Sequence, residues 1–401
     1  MTSQQIIATE APLAARASQH RWDVITCEYP PRIGGVADYT YQVASGLAQE
    51  GDEVHVWCPA SDLPPRSAEG ITVHCLSGTF SSKDLELLGE ELDRASGARR
   101  LLVQWVPQGF GYRSMNVGLC WWLWRRAAQG DRVEIVAHEL FLPFPAGSLL
   151  GSAAALVQRF MALILLRAAS RVWTSTPSWE RYWRGYALGR QVRFEWLPIP
   201  SNIPAPEDAE AGAVLHQRYA GKDRFLIGHF GTFGSAVTSL LEPILVMLDG
   251  DTANQVFLLI GSGSERFRQE LIRKQPALEG RIHATGALNS SDLSRHLAAC
   301  DMLIQPYPDG VSTRRTSVMA GILQGKPVVT TCGVLTEPVW SETGAVTLAP
   351  AGETNRFVDC VRALRDDRAE RVRAGESGRR LYRERFDISH TIRTLRQSAQ
   401  H

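Results

Sequence analysis

The feature that most constrains this chain is a double series of short apolar runs alternating with amphipathic stretches. In the first half, residues 22–27, 54–58, 71–75, 101–105, 133–138, 171–175 and 192–197 read as strands. Helical spacing follows the first run through residue 47 and recurs at 84–95, 116–128, 148–167 and 179–186. In the second half the strand runs are 225–230, 255–260, 281–285 and 301–304, with helices at 238–248, 265–274 and 291–299. Apolar strands separated by amphipathic helices predict parallel sheets covered on both faces. Between the series, Pro198, Pro200, Pro204 and Pro206 make residues 198–206 a stiff, extended connector. The predicted fold class is therefore α/β, with two Rossmann-like domains facing across a cleft. A first domain is expected over 21–200 and a second over 201–380, followed by a terminal helix over 381–401. Loops at the carboxyl ends of the strands should line the cleft.

Composition removes several classes of function. At 401 residues with a formal net charge of +1, the chain has no global basic field for nucleic acid. Its seven cysteines show no CxxC or zinc-like spacing and read as reduced core residues. Residues 1–20 lack a charged-then-apolar signal pattern and are expected to be a disordered leader, which makes the cytoplasm the default compartment. Residues 140–166 are apolar but contain Pro143, Pro145 and Arg159, so a long core helix over 146–169 is expected rather than a membrane span. The run Cys120-Trp121-Trp122-Leu123-Trp124-Arg125-Arg126 fits either a half-buried helix or an interfacial membrane anchor. Both readings stay open, and with the second goes a peripheral place at the inner face of a membrane.

The stretch from Ile304 to Val329 carries the most chemistry. It reads as strand, loop, helix, tight turn and strand, with Pro308, Asp309 and Gly310 forming the loop. Ser312 or Thr313 is expected to cap a helix whose buried stripe is Val318, Met319, Ile322 and Leu323. A helix N-terminus with free amides, flanked by Arg314 and Arg315, is a place to hold phosphate. Other cleft-facing candidates are Gly34-Gly35, the loop Gly231-Thr232-Phe233-Gly234, residues 261–263, and His138-Glu139 after a middle strand. There is no GxGxxG fingerprint, no GxxxxGK[ST], no G-x-S-x-G elbow and no metal-ligand spacing.

Taken together these pieces resemble the retaining glycosyltransferases of family 4, which have the GT-B architecture. The resemblance runs from Trp22 onward. It rests on Tyr29-Pro-Pro-Arg-Ile-Gly-Gly35, His138, Gly228-His-Phe-Gly231, Leu259-Ile-Gly-Ser-Gly263, Ala284-Thr-Gly-Ala287 and Ala320-Gly-Ile-Leu-Gln-Gly-Lys-Pro-Val-Val329. It implies a nucleotide-diphosphate sugar as co-substrate, held mainly by the second domain, and an acceptor on the first. It implies no further cofactor. Gly35 would approach the diphosphate and His138 the donor sugar, while the backbone of Ala287 and Leu288 would meet the nucleobase. The 309–312 amides would hold sugar hydroxyls and phosphate, and the final helix, around 388–397, would cross back onto the first domain. The candidates for catalysis are His138, Asp309, Arg314 and Arg315. Those for donor binding are Gly34, Gly35, Glu139, Gly231, Thr232, Phe233, Ala287, Leu288, Gly310, Val311, Ser312 and Thr313.

The chain departs from the family pattern in two places. Ser312 and Ala320 stand where the family usually has two glutamates, and the 231–238 loop lacks the usual arginine and lysine. Arg314 and Arg315 are expected to supply the missing charge, with Asp309 taking over a sugar-hydroxyl contact. The alternatives are a catalytically silent GT-B-like partner protein and a GT-B sugar-nucleotide epimerase. The partners expected are a nucleotide-sugar donor and an acceptor, membrane-associated acceptors included.

Overall fold

A computed structural model describes residues 20–95, 99–111, 115–144, 149–206, 208–250 and 254–399. The leader expected over 1–20 lies, apart from His20, outside the described residues.

In the first half, β1 (Arg21–Thr26), β2 (Glu53–Pro59), β3 (Ile71–Leu76), β4 (Arg100–Trp105), β5 (Arg132–Ala137), β6 (Ala169–Thr174) and β7 (Arg193–Trp196) form one sheet. Between them run α1 (Gly35–Gln49), α2 (Ser82–Arg94), α3 (Val117–Ala128), α4 (Leu149–Ala168) and α5 (Glu180–Arg184). In the second half, α6 (Ala209–Ala220) precedes β8 (Phe225–Phe230), α7 (Ser235–Asp249), β9 (Gln255–Ile260), α8 (Ser264–Lys274), β10 (Ile282–Ala284) and α9 (Ser290–Ala299). There follow β11 (Met302–Gln305), α10 (Thr316–Leu323), β12 (Val328–Cys332), α11 (Pro338–Thr343) and β13 (Thr347–Pro350). The chain closes with α12 (Thr354–Asp366), α13 (Arg368–Leu381), a π-helical turn at Tyr382–Phe386, and α14 (Ile388–Ala399).

Both sheets are parallel and doubly wound. Their strand orders are β3-β2-β1-β4-β5-β6-β7 and β10-β9-β8-β11-β12-β13. β1 sits between β2 and β4, and β8 between β9 and β11. The strand order reverses at those two places, and crevices for ligands open outside the carboxyl ends of strands at such switch points. The loops after β1, β8 and β11 are thereby the ones that define the cleft. β4 and β9 are buried at every position, as expected of central strands covered on both faces.

The halves are tied together by backbone and buried side chains. Ile199 N donates to Thr313 O at 3.0 Å, and Ser201 N donates to the Tyr382 hydroxyl at 3.1 Å. α14 does cross back to the first sheet's domain. Its Ile392 and Leu395 join the cluster of Trp22, Val43, Leu47 and Val56. Gly46 permits this approach, since a Cβ there would lie 2.6 Å from Ile392 Cγ1.

Four elements differ from expectation: α6, α11 and β13 were not expected, and α4 is placed differently. α6 occupies a stretch the sequence reading passed over, with its Asp208 carboxylate accepting from Glu210 N at 2.7 Å. α4 is only partly a core helix. Met161, Ile164 and Leu165 are buried, but its opposite face leaves Leu149, Leu150, Leu156 and Phe160 exposed. It is long and apolar enough by length and composition to cross a membrane. However, β5 and β6, which it connects, are adjacent parallel strands, so α4 has to run back along the sheet.

Candidate active site

The cleft has a volume of about 440 Å³. The first domain contributes Ile33 and Gly35, and the connector contributes Asn202. The second domain supplies the stretch His229, Phe230, Gly231, Thr232 and Phe233, then Gly261, Ser262, Ala287, Leu288, Gln305 and Tyr307. The run Arg314, Arg315, Thr316 and Ser317 completes the polar side.

The glycine loops after β8 and β9 can meet because neither carries a side chain at the contact. Gly261 has φ +117, and a Cβ on it would stand 2.3 Å from Gly231 O. Beside it, Phe233 holds the left-handed conformation at φ 55, which costs a non-glycine residue energy. Its buried ring is fixed edge-on to His229 at 5.2 Å and against Phe267 at 5.6 Å. α7 starts directly after this loop at an N-cap, Gly234, that offers no side-chain acceptor.

The loop after β11 bends at Gly310, with φ +85, where a Cβ would lie 2.3 Å from Gly333 N and from Thr336 Oγ1. Three of its amides are already used. Gly310 N donates to Tyr307 O at 3.3 Å and Val311 N to Thr331 O at 2.7 Å. Thr313 N donates to both Glu337 carboxylate oxygens at 3.1 and 3.2 Å. Neither Ser312 nor Thr313 caps α10, whose N-cap is Arg315 with no side-chain cap. The free helix end is therefore two or three residues later than expected, at Thr316 and Ser317. Asp309, Gly310, Val311, Ser312 and Thr313 stand behind the cleft lining rather than in it.

What holds Thr313 there is Glu337, a buried residue 24 positions away. The Thr313 hydroxyl lies 2.8 Å from Glu337 Oε1 and 2.6 Å from Ser175 O, and accepts from Trp196 Nε1 at 3.0 Å. Trp340 Nε1 donates to the other Glu337 oxygen at 2.8 Å. Thr313 is thus a latch between the domains, and Arg314 and Arg315 leave it directly toward the cleft.

Asp309 lies between the two arginines. Arg314 donates to Asp309 Oδ2 at 3.4 Å and Arg315 to Oδ1. Arg315 also stacks on Tyr307 at 4.3 Å, and Arg314 reaches across to Trp179 of the first domain at 5.4 Å. Burial and the neighbouring Arg315 pull the Arg314 guanidinium below its ordinary value, against the pull of Asp309. Two cations share the Asp309 carboxylate, and the Glu139 carboxylate of the first domain also acts on Arg314. The Nε atoms of both arginines, Gln305 Nε2, His229 Nε2 and Asn202 Oδ1 are buried without a partner. All five residues line the cleft, so its wall holds polar groups the protein itself leaves unsatisfied.

His229 was passed over in the sequence because its role depends on burial. Its Nδ1 donates to Ile304 O at 2.8 Å, and burial holds its pKa down at about 4. The ring is therefore neutral, and Nε2 presents a lone pair to the cleft lining. Tyr307 and Ser317 were also missed; their hydroxyls pair at 2.6 Å beneath the arginines.

On the first domain, His138 and Glu139 follow β5 but lie off the cleft lining. His138 Nε2 is 2.7 Å from Gln104 Oε1, and its ring stands edge-on to Tyr39 at 5.0 Å. Burial lowers its pKa to about 3, so it too is neutral. Glu139 accepts from Gln108, and burial raises its carboxyl. A Cβ on Gly34 would lie 2.3 Å from Glu28 Oε1, so a side chain there would displace that carboxylate. That carboxylate accepts from Ala37 N at 3.1 Å, so it occupies the N-terminal end of α1.

The family model of Glycosyltransferase Family 4 matches residues 33–193, and that of Glycosyl transferases group 1 matches 224–367. The two matches fall on the two sheets that face the cleft. This chain is a GT-B glycosyltransferase. The solved structures it resembles share the fold at low identity. A sucrose-phosphate synthase from Thermosynechococcus elongatus has a TM-score of 0.75 at 15% identity, with 95% of this chain and 98% of that chain covered. An Anabaena protein, HepE, in complex with UDP and glucose has a TM-score of 0.66 at 15% identity, covering 94% and 99%. A trehalose-phosphate synthase (UDP-forming) from Burkholderia vietnamiensis has 0.67 at 14%, covering 95% and 98%. No curated protein sequence matches the glycosyltransferase.

Proposed function

We propose that the glycosyltransferase moves a sugar, with retention of configuration, from a nucleoside-diphosphate sugar to an acceptor bound by the first domain. The observation that carries this reading is the cleft between the switch points, where Arg314, Arg315 and the open N-terminus of α10 surround otherwise unpartnered polar atoms. A leaving diphosphate gains charge in the transition state, and fixed cations and helix-end amides stabilise it without a protein nucleophile. The arginine pair takes the place of the basic residues missing after β8, and the reaction is metal-independent on this reading. Ala287 and Leu288 offer an apolar rim for the base, and neutral His229 accepts a hydrogen bond from the donor. His138, off the cleft lining, braces the first domain's side as a neutral ring and does not act as an acid. HepE with UDP and glucose, and the UDP-forming synthase, make UDP-glucose the first donor to try.

The test is hydrolysis or transfer from a panel of UDP-, GDP-, ADP- and dTDP-sugars, with and without a chelator. Turnover of one donor that survives chelation, with the product anomer unchanged by NMR, is the expected outcome. Inversion, or dependence on a divalent cation, would contradict the reading.

A further inference from the structure

α3 and α4 pack side by side on the outer face of the first sheet, and their outward faces run against the usual pattern of a surface helix. On α4 the exposed positions Leu149, Leu156, Phe160 and Arg167 recur at helical spacing, so the solvent side is an apolar stripe ending in a cation. Leu149 is 91% exposed and Phe160 54%. On α3 the exposed rings of Trp121 and Trp124 meet at a tilt with centroids 4.7 Å apart, next to exposed Arg125. Alongside α4, the exposed Phe144 carries Arg159 over its ring at 4.0 Å. Neither helix contains a single Asp or Glu.

We propose that this face docks on an anionic bilayer surface. An exposed apolar patch of this breadth on a folded domain marks an interaction site. Three properties select a bilayer over a protein. Trp and Phe rings beside arginines suit the headgroup layer, where an apolar body and a polar tip are both satisfied. The aliphatic stripe is continuous along a helix that lies flat on its sheet, the geometry of an interfacial rather than a spanning segment. The acid-free cationic rim complements anionic headgroups, although the chain as a whole is close to neutral. The surface lies apart from the cleft lining, so docking leaves the donor cleft free. It goes beyond the transfer reaction by placing the enzyme, and hence its acceptor, at a membrane.

The experiment is co-flotation of the full chain with vesicles of phosphatidylcholine alone and of phosphatidylcholine with phosphatidylglycerol, at low and high salt. The expected result is partition to the anionic vesicles that weakens with salt. The double substitution Trp121→Ser with Trp124→Ser should reduce partition by roughly tenfold or more. Arg125→Glu and Arg167→Glu each change the surface charge by two and should each reduce it roughly tenfold. Melting temperature and UDP titration of the same variants should match wild type, which separates lost docking from lost folding and from failure of the transfer reading. Absence of partition, equal partition of the variants, or a salt-stable dimer dispersed by the tryptophan substitutions would overturn the proposal.

Discussion

Two helix N-termini at the cleft end in opposite ways. That of α1, after the first switch point, is filled by the chain's own anion, the Glu28 carboxylate on Ala37 N. That of α10, after the second, has no cap, and two arginines flank it. Both ends carry the same partial positive charge. The first domain has neutralised its own; the second has left its open and added to it. On the reading proposed above, the difference gives the donor's negative charge to the second domain and leaves the first to shape and position.

The largest expected effect on turnover comes from removing that asymmetry. Arg314→Ala or Arg315→Ala should lower kcat on the order of 10–1000-fold, with a smaller loss of donor affinity. Steady-state kinetics with the active donor checks this, and wild-type rates in both would dissolve the comparison.

Acid should destabilise both sides at once. His138 in one domain and His229 in the other are held neutral by burial, with pKa values of about 3 and about 4. The unfolded chain takes up their protons near pH 6.5, so the stability they contribute is present above that and lost as pH falls toward 4. Each adds a slope of up to roughly 1.4 kcal/mol per pH unit in that window. Urea denaturation at pH 7 and 5 should show it, and His229→Gln should flatten the curve.

A third substitution loosens the joint between the two regions. Glu337→Gln replaces the carboxylate that accepts from Thr313 and Trp340, and should cost roughly 1.5–3 kcal/mol. Because Thr313 also meets Ser175 and Trp196, the loss should come with reduced turnover. Unchanged stability would mean the latch bears no load. The smallest effect sharpens the contrast itself. Glu28→Ala should cost about 1 kcal/mol of stability, yet leave nucleoside-diphosphate affinity within about threefold. Tenfold tighter binding would show that the end of α1 is an anion seat after all.

The fold was largely legible because apolar runs such as that of β9 are short, uninterrupted and followed by glycine. α6 escaped notice beside the prolines of the connector. It is recognisable only by its packing on α9. The cleft was legible as loops after strands, and Gly35, Gly231, Thr232, Phe233, Ala287, Leu288, Arg314 and Arg315 do line it. What could not be read was non-local. Thr313 looks like a helix cap until Glu337 takes its amide. Asp309 looks free for a sugar until both arginines fold onto it. His229 looks unremarkable until burial and Ile304 fix its tautomer.

The most direct measurement is a calorimetric titration of UDP, GDP, ADP and dTDP into wild type and into Arg315→Ala. The account predicts that one of these diphosphates binds wild type, more tightly than its nucleoside, and that the substitution removes most of that difference. Equal binding of nucleoside and diphosphate, or an unchanged difference in Arg315→Ala, would contradict it.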